Sequence, residues 1–158
     1  MSAVVCVATL LIQIYNPTTK GYFNIGDAMV FTSALLFGPF VGFSSGGVGS
    51  ALADIISGYS VFAPITFVVK GVEGLLAGII SNGKDWRRDI VGIVVGGAEM
   101  IAGYFLAETF ILGYGVLAAS TEVPGNFFQI LAGGIVSIPL SVVVRRYLTT
   151  KPLSAEGK

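Results

Sequence analysis

The sequence predicts an all-α membrane protein: a bundle of six transmembrane helices with both termini in the cytoplasm. Hydrophobic residues make up 54% of the 158 residues and charged residues only 11%. A soluble domain carries about 25% charged residues, so these charges cannot cover a surface that faces water. The apolar runs are continuous and do not alternate with polar residues, which favours helices over a β-barrel.

Six apolar stretches are predicted to cross the membrane. They are residues 2–15, 26–40, 41–58, 64–80, 89–112 and 125–147. Together they form a single domain, residues 1–148, followed by a cytoplasmic tail, residues 149–158. The first stretch reaches only about 21 Å as a helix, against about 30 Å of hydrocarbon. It lacks the basic start of a signal peptide, so we expect a short first helix or one that lacks upstream residues.

Turn residues and prolines mark the ends of these stretches. Residues 16–21 separate the first two, and residues 81–84 end the fourth. The second and third are short and are predicted to be tilted or broken near Gly38 and Pro39. Pro64 and Pro124 lie at helix starts, where proline is tolerated, and Pro139 should kink the sixth helix.

The distribution of Lys and Arg predicts the orientation. Six spans place both termini on one side, and the basic residues of that side are Lys84, Arg87, Arg88, Arg145, Arg146, Lys151 and Lys158. The opposite loops contain Lys20 alone. We therefore expect residues 16–25, 59–63 and 113–124 to face the outside of the cell membrane.

Several classes of function are excluded by composition. The sequence has no His and a single Cys, Cys6, so it contains neither a His-based triad nor a His-containing zinc site. We expect no metal and no cofactor. The net charge is zero, and without a basic patch we expect no binding to nucleic acid.

Two patterns of soluble enzymes occur by chance. Gly42 to Gly46 matches G-x-S-x-G, which needs a strand–turn–helix setting and a His base. Gly78 to Lys84 resembles a phosphate-binding loop, but Asp85 stands where Ser or Thr is required. The chain is therefore predicted not to be an enzyme and not to hydrolyse ATP.

Glycines spaced four residues apart indicate close helix packing. The pairs are Gly42 and Gly46, Gly74 and Gly78, and Gly92 and Gly96. Small residues at this spacing let two helix backbones approach each other. They serve packing within the bundle or, for the Gly- and Ser-rich third span, docking of another membrane protein.

Ionisable residues at membrane depth are costly, so each one is a candidate site residue. Lys70 and Glu73 lie one turn apart and are predicted to pair, either to fix the bundle or to contact a ligand. The other polar residues of the outer half are Glu99, Tyr104, Glu108, Asn126 and Gln129. This clustering predicts a cavity open to the outside and no continuous ion path. Asp27 and Asp54 are predicted to be structural, with Asp27 capping the second helix.

The block of residues 21–78 resembles the substrate-binding S components of energy-coupling factor (ECF) vitamin transporters, and within them the riboflavin and hydroxymethylpyrimidine type. It reads GYFNIGDAMVFTSALLFGPFVGFSSGGVGSALADIISGYSVFAPITFVVKGVEGLLAG and covers more than a third of the chain. The resemblance implies a six-helix protein that binds a vitamin-like small molecule in an external pocket. It also implies docking, among membrane lipids, on a transmembrane coupling subunit that carries two ATPases.

The resemblance also implies roles for particular residues. Tyr22, Phe23 and Asn24 of the first loop, together with Lys70 and Glu73, are expected in the pocket. Docking in this family uses small residues on the first helix. Here Ala3 is followed by Val7, so Ser2 and Cys6 are the small pair at that spacing.

Two other functions stay open at this point. One is a stand-alone secondary transporter or channel, which inverted repeats would favour. The other is an intramembrane enzyme. Glu99 and Glu108 are nine residues apart, about 13 Å along a helix, which is too far for a catalytic carboxylate pair.

Overall fold

A computed structural model describes residues 1–81, 83 and 85–150, with the side chains of 148–150 left aside. Lys84 and residues 151–158 of the predicted tail lie outside this range. The helices in chain order are α1 (Ser2–Leu11), α2 (Asp27–Phe37), α3 (Pro39–Ile56), α4 (Ala63–Ile80), α5 (Trp86–Leu106), α6 (Val116–Ser120) and α7 (Val123–Thr150). A π-helical turn, Ala107–Ile111, extends α5, and a hairpin of β1 (Gln13–Tyr15) and β2 (Tyr22–Asn24) lies between α1 and α2.

The hairpin corrects the prediction that the first helix runs to Tyr15 and that the fold is entirely helical. Strands β1 and β2 pair antiparallel, with Ile14 opposite Phe23. β-Branched and aromatic residues favour strands. The turn between them is stabilised locally: Asn16 Oδ1 accepts from Thr18 N at 3.0 Å, and Asn16 N donates to Gly21 O at 2.9 Å. The turn chemistry of residues 16–21 therefore joins two strands and not two helices.

The break between α2 and α3 is confirmed. Gly38 stands between them with φ +86°, a conformation that favours glycine, and Pro39 begins α3. Pro64 and Pro124 also lie in the first turns of α4 and α7, as expected. Pro139 lies inside α7, and the kink there stays a prediction.

Three helical stretches of the described chain are long and apolar enough to cross a membrane. They are α4 (Ala63–Ile80), α5 with its π-helical turn (Trp86–Ile111), and α6 with most of α7 (Val116–Tyr147). Helices α1 and α2 are apolar but have only 10 and 11 residues, about 15 to 16 Å. Large apolar side chains such as Phe40 and Ile135 are exposed on the outside of the bundle. An apolar exterior of this extent fits contact with lipid and not with water.

The spaced glycines pack helices against one another inside the bundle. Gly42 of α3 and Gly74 of α4 face each other so closely that a Cβ on either would overlap the other's backbone. A Cβ on Gly46 would meet the Lys70 carbonyl, and one on Gly92 would lie 2.7 Å from the Ala77 carbonyl oxygen. These contacts join α3, α4 and α5 backbone to backbone and support the packing interpretation of the glycine pairs.

An apolar core and a polar cluster hold the other helices. Phe31, Ala34 and Leu35 of α2 pack with Ala77 and Ile93.

A polar cluster around Arg145 and Asp89 joins α7, α5 and α2. Arg145 Nη1 donates to Asp89 Oδ2 and Nη2 to the Leu35 carbonyl, each at 2.6 Å, and Ser81 Oγ donates to Asp89 Oδ1 at 2.5 Å. The buried Asp89 is thereby compensated by a charged partner.

Replacing Gly42 by Ala should destabilise the protein, because the new methyl group has no space against Gly74. We expect a loss of about 1–3 kcal/mol, the usual cost of overpacking. Gly134→Ala is the matched control, since a Cβ there meets its nearest neighbour, Ile93, at an ordinary 3.6 Å. Thermal unfolding in detergent should show a lower midpoint for the first variant alone, and equal midpoints would contradict the packing.

Candidate functional site

A cavity lies at the end of the bundle opposite the Arg145–Asp89 cluster. Its walls come from the hairpin, α3, α4, α5 with its π-helical turn, and the start of α7. The cavity volume is about 40 Å³. The lining residues are Gly21, Tyr22, Asn24, Asp54, Phe62, Thr66, Lys70, Tyr104, Glu108, Glu122, Asn126 and Gln129.

Most of the polar residues singled out from the sequence converge on this cavity. Seven of them line it: Tyr22, Asn24, Lys70, Tyr104, Glu108, Asn126 and Gln129. Tyr104 and Glu108 lie one turn apart at the end of α5, and Asn126 and Gln129 lie one turn apart at the start of α7. The helical spacing that placed each pair on one face explains why both members reach the same cavity.

The remaining three lie outside the lining. Phe23 lies between Tyr22 and Asn24 in β2, and because successive strand residues face opposite sides, its ring packs against Gly125. Glu73 is fully buried next to Lys70. Glu99 is partly buried on α5, near the middle of the helix, and its Oε2 has no hydrogen-bond partner in the described residues.

The central polar contact is an ion-pair cluster around Lys70. Its Nζ lies 3.0 Å from Glu73 Oε2, as the spacing predicted, and also pairs with Asp27 Oδ1. All three side chains are nearly inaccessible to water. Two carboxylates thus share one ammonium group, and the cluster ties the start of α2 to α4.

The predicted cap at Asp27 is wrong. Gly26 is the N-cap residue of α2, and no side chain caps this helix end. Asp27 points inward instead, and its Oδ2 accepts a hydrogen bond from Gln129 Nε2 at 3.0 Å. Because Lys70 supplies a full positive charge at this depth, the ion pair prevails over a cap. Asp27 is structural, as expected, but through a different contact.

Gln129 connects the ion-pair cluster to the hairpin. Its Oε1 accepts from the backbone N–H of Asn24 at 2.8 Å while its Nε2 donates to Asp27. Asn24 Oδ1 in turn accepts from Gly26 N at 2.8 Å. One amide side chain therefore positions strand β2 over the buried charges.

Two further contacts hold the hairpin over the cavity. Tyr22 donates its hydroxyl proton to Asp54 Oδ1 at 2.6 Å. Burial, followed by the nearby Asp54 charge, raises the pKa of Tyr22, so the phenol keeps its proton. At the turn, Glu122 Oε1 accepts from Asn16 Nδ2 at 3.0 Å and from the Thr19 hydroxyl.

Sequence reasoning missed several lining residues. Asp54 was expected to be structural only, and Phe62, Thr66 and Glu122 were not singled out. Thr66 Oγ1 accepts a hydrogen bond from the Tyr104 hydroxyl at 3.1 Å. Thr66 lies four residues before Lys70 on the same helix, so helical periodicity could have identified it.

The predicted docking residues divide into two groups. Ala3 is exposed on α1 and lines an apolar groove between α1, α2 and α7. Ser2 and Cys6 face α3 instead: the Ser2 hydroxyl donates to the Ser44 carbonyl at 3.2 Å, and Cys6 is buried. Gly42 and Gly46 are buried between α3 and α4 and do not reach a free surface.

The fold and this cavity define a class: membrane-embedded substrate-binding proteins with a polar cavity at one end of a helical bundle. Residues 1–146 match the family described as the S component of the ECF-type riboflavin transporter, and the chain belongs to that family. The resemblance seen in residues 21–78 is thereby confirmed. S components are transporter subunits, so the chain is not an enzyme.

Two relatives and a solved structure are similar to this chain. An uncharacterized protein of Pyrococcus woesei is 41% identical over 143 residues, covering 90% of this chain and 95% of that protein. The thiamine precursor transporter HmpT of Lactococcus lactis subsp. cremoris (strain MG1363) is 27% identical over 120 residues, which cover 76% of this chain and 68% of HmpT. The structure of the S component of a bacterial ECF transporter has the same fold, with a TM-score of 0.67 and 23% identity. The match covers 94% of this chain and 90% of that structure.

Replacing Lys70 by Met should destabilise the protein strongly, because Asp27 and Glu73 would lose their cation. Removing one partner of a buried pair costs about 3–5 kcal/mol. The double variant Lys70→Met/Asp27→Asn should recover part of this loss, since it removes one of the uncompensated carboxylates. Thermal unfolding in detergent measures both.

The exposed Lys20 supplies the control for that experiment. Lys20→Met removes the same charge from the hairpin turn and should shift stability by less than about 0.5 kcal/mol. A double variant that is no more stable than Lys70→Met alone would contradict the shared ion pair.

Proposed function

We propose that this chain captures a vitamin or vitamin precursor from outside the cell in the cavity beneath the hairpin. It then delivers the molecule through a separate energising module, a coupling subunit with two ATPases. The observation that carries this proposal is the convergence of seven polar residues, separated by up to about a hundred positions in sequence, on one cavity. Family membership supports the transport role, and the name of HmpT supports a small heterocyclic vitamin precursor as the ligand class.

In this proposal the ligand contacts come from the lining residues of the predicted set, from Tyr22 to Gln129. Glu73 and Glu99 support the cluster from outside the lining, and Phe23 fixes the hairpin. Rings from the hairpin and α5 supply flat apolar surface for a heterocycle, and the amides of Asn126 and Gln129 supply directional hydrogen bonds.

The topology in the membrane is part of the same proposal. We place six spans in the plasma membrane, as one domain over residues 1–148, with both termini and the tail of residues 149–158 in the cytoplasm. The cavity and the Arg145–Asp89 cluster lie at opposite ends of α4, α5 and α7. Because the predicted cytoplasmic side is the one rich in Lys and Arg, this arrangement supports a cavity that opens outward.

The coupling subunit is proposed to contact α1. The groove that contains Ala3 is almost wholly apolar, with Val4, Val7, Ala8 and Leu11 on the same helix. This surface suits a transmembrane partner helix within the lipid. Ser2 and Cys6 set the distance between α1 and α3 behind it, while Gly42 and Gly46 shape the packing of α3.

The function is tested by reconstituting the chain alone in liposomes with radiolabelled riboflavin and hydroxymethylpyrimidine. We expect binding of one of these compounds without accumulation, because the chain carries no ATPase signature. Accumulation should appear only when a coupling subunit and two ATPases are added. Uphill uptake by the chain alone would instead make it a stand-alone transporter.

The orientation is tested by labelling single cysteines in intact cells with an impermeant thiol reagent. In a Cys6→Ser background, Thr18→Cys in the hairpin turn should react and Arg87→Cys at the start of α5 should not. Both positions are exposed in the structure. The reverse pattern of labelling would invert the topology.

A further inference from the structure

The walls of the cavity carry more acidic side chains than basic ones. Three carboxylates line it, from Asp54, Glu108 and Glu122, against a single ammonium group, that of Lys70, and all lining residues lie in the described part of the chain. Asp27 and Glu73 already pair with this ammonium group from outside the lining. The positive charge is therefore compensated within the protein, and the carboxyl groups that face the cavity have no cationic partner among the lining residues.

Two of these carboxylates have oxygens without a partner. Asp54 Oδ1 accepts from Tyr22, but Oδ2 has no hydrogen-bond partner among the described residues, and neither does Glu108 Oε2. Asp54 is 3% exposed and Glu108 2% exposed. A buried acceptor left without a donor costs about 1–3 kcal/mol, more when it is charged. Both side chains belong to the cavity lining, so a ligand is in a position to supply the missing donors.

Glu122 differs from these two. Its Oε1 accepts from Asn16 and Thr19 and so holds the hairpin turn. Glu108 lies in the π-helical turn, where Leu112 N donates to the Ala107 carbonyl at 2.9 Å. π-Helical turns are rare in proteins, and those that occur are often found at functional sites. Among the lining carboxyl groups, the buried oxygens without a partner in the described residues are therefore those of Asp54 and Glu108.

We propose that Asp54 and Glu108 determine the specificity of the cavity and select a ligand that presents an exocyclic amino group or a protonated ring nitrogen. This inference rests on the proposed function and names the chemistry of its ligand. An N–H donor on the ligand satisfies the carboxylate oxygens directly, and a positive charge strengthens the bond. A phosphate ester or a carboxylate brings further acceptor oxygens in place of the N–H donors and leaves the two carboxyl groups unmatched.

The aromatic lining is compatible with this ligand. Phe62, Tyr22 and Tyr104 present ring surface to the cavity. A flat nitrogen heterocycle can pack against such rings while its edge donates to the carboxylates. An apolar body with a donor edge is therefore the shape and chemistry that the lining accepts.

The test compares two matched compounds on the purified full-length protein by titration calorimetry. One is 4-amino-5-hydroxymethyl-2-methylpyrimidine, and the other is its 4-oxo analogue, in which a carbonyl acceptor replaces the amino donor. The wild-type protein should bind the amino compound at least about tenfold more tightly, the scale of one hydrogen bond to a charged group. Its phosphate ester should bind still more weakly than the parent compound.

Variants then assign the selectivity to the two residues. Glu108→Gln and Asp54→Asn keep the side-chain size and should each weaken binding of the amino compound by about tenfold or more. Each variant should also reduce the ratio of the affinity for the amino compound to the affinity for the oxo analogue. Ile135→Ala, on the exposed face of α7, is the control and should leave both affinities unchanged. Thermal unfolding confirms that each variant is folded.

The outcomes separate this inference from the proposed function. Equal binding of the two pyrimidines, or an unchanged preference in both variants, overturns the role of Asp54 and Glu108. Binding of riboflavin alone, independent of both carboxylates, overturns the inference and keeps the function. Absence of binding to every one of these compounds overturns both.

Discussion

The buried pairing of Lys70 with Asp27 and Glu73 is the interaction on which the rest of the site depends. Charges at this depth are tolerated only when they are paired and hydrogen-bonded. Lys70 fixes the start of α2 through Asp27, and Asp27 fixes Gln129 of α7. Gln129 then holds the backbone of β2 at Asn24. A single ammonium group is thus connected, through Asp27 and Gln129, to the first turn of α2, to α7 and to the hairpin.

The bundle divides into a part built for close packing and a part built for polar contacts. Along α3 and α4, glycines bring backbones into contact and leave no space for side chains. Toward the hairpin, the same two helices carry Asp54, Thr66 and Lys70, and their larger side chains border a cavity. The change from small to large residues along a helix therefore sets the depth at which the cavity ends.

Local sequence patterns predicted α2 to α5 and α7, the break at Gly38 and Pro39, and the Lys70–Glu73 pair, because these depend on residues close in sequence. They missed α6, which lies in the predicted loop of residues 113–124. The hairpin was missed because Ile14 and Tyr15 continue an apolar stretch that only Gln13 interrupts, and pairing with Tyr22–Asn24 prevails over helical periodicity. The partner of Asp27 lies 43 residues away and that of Glu122 about a hundred. Contacts between residues so far apart in sequence leave no local pattern, so Asp27 was predicted to be a cap and Glu122 was not singled out.

The small size of the cavity has a kinetic consequence. A volume of about 40 Å³ accommodates a few water molecules and no heterocycle. Under the proposed function, entry of a heterocycle would need the hairpin to move away from Glu122 and Asp54, which Asn16, Thr19 and Tyr22 contact. The association rate would then depend on how often these bonds open, and the apparent affinity would fall with the open fraction.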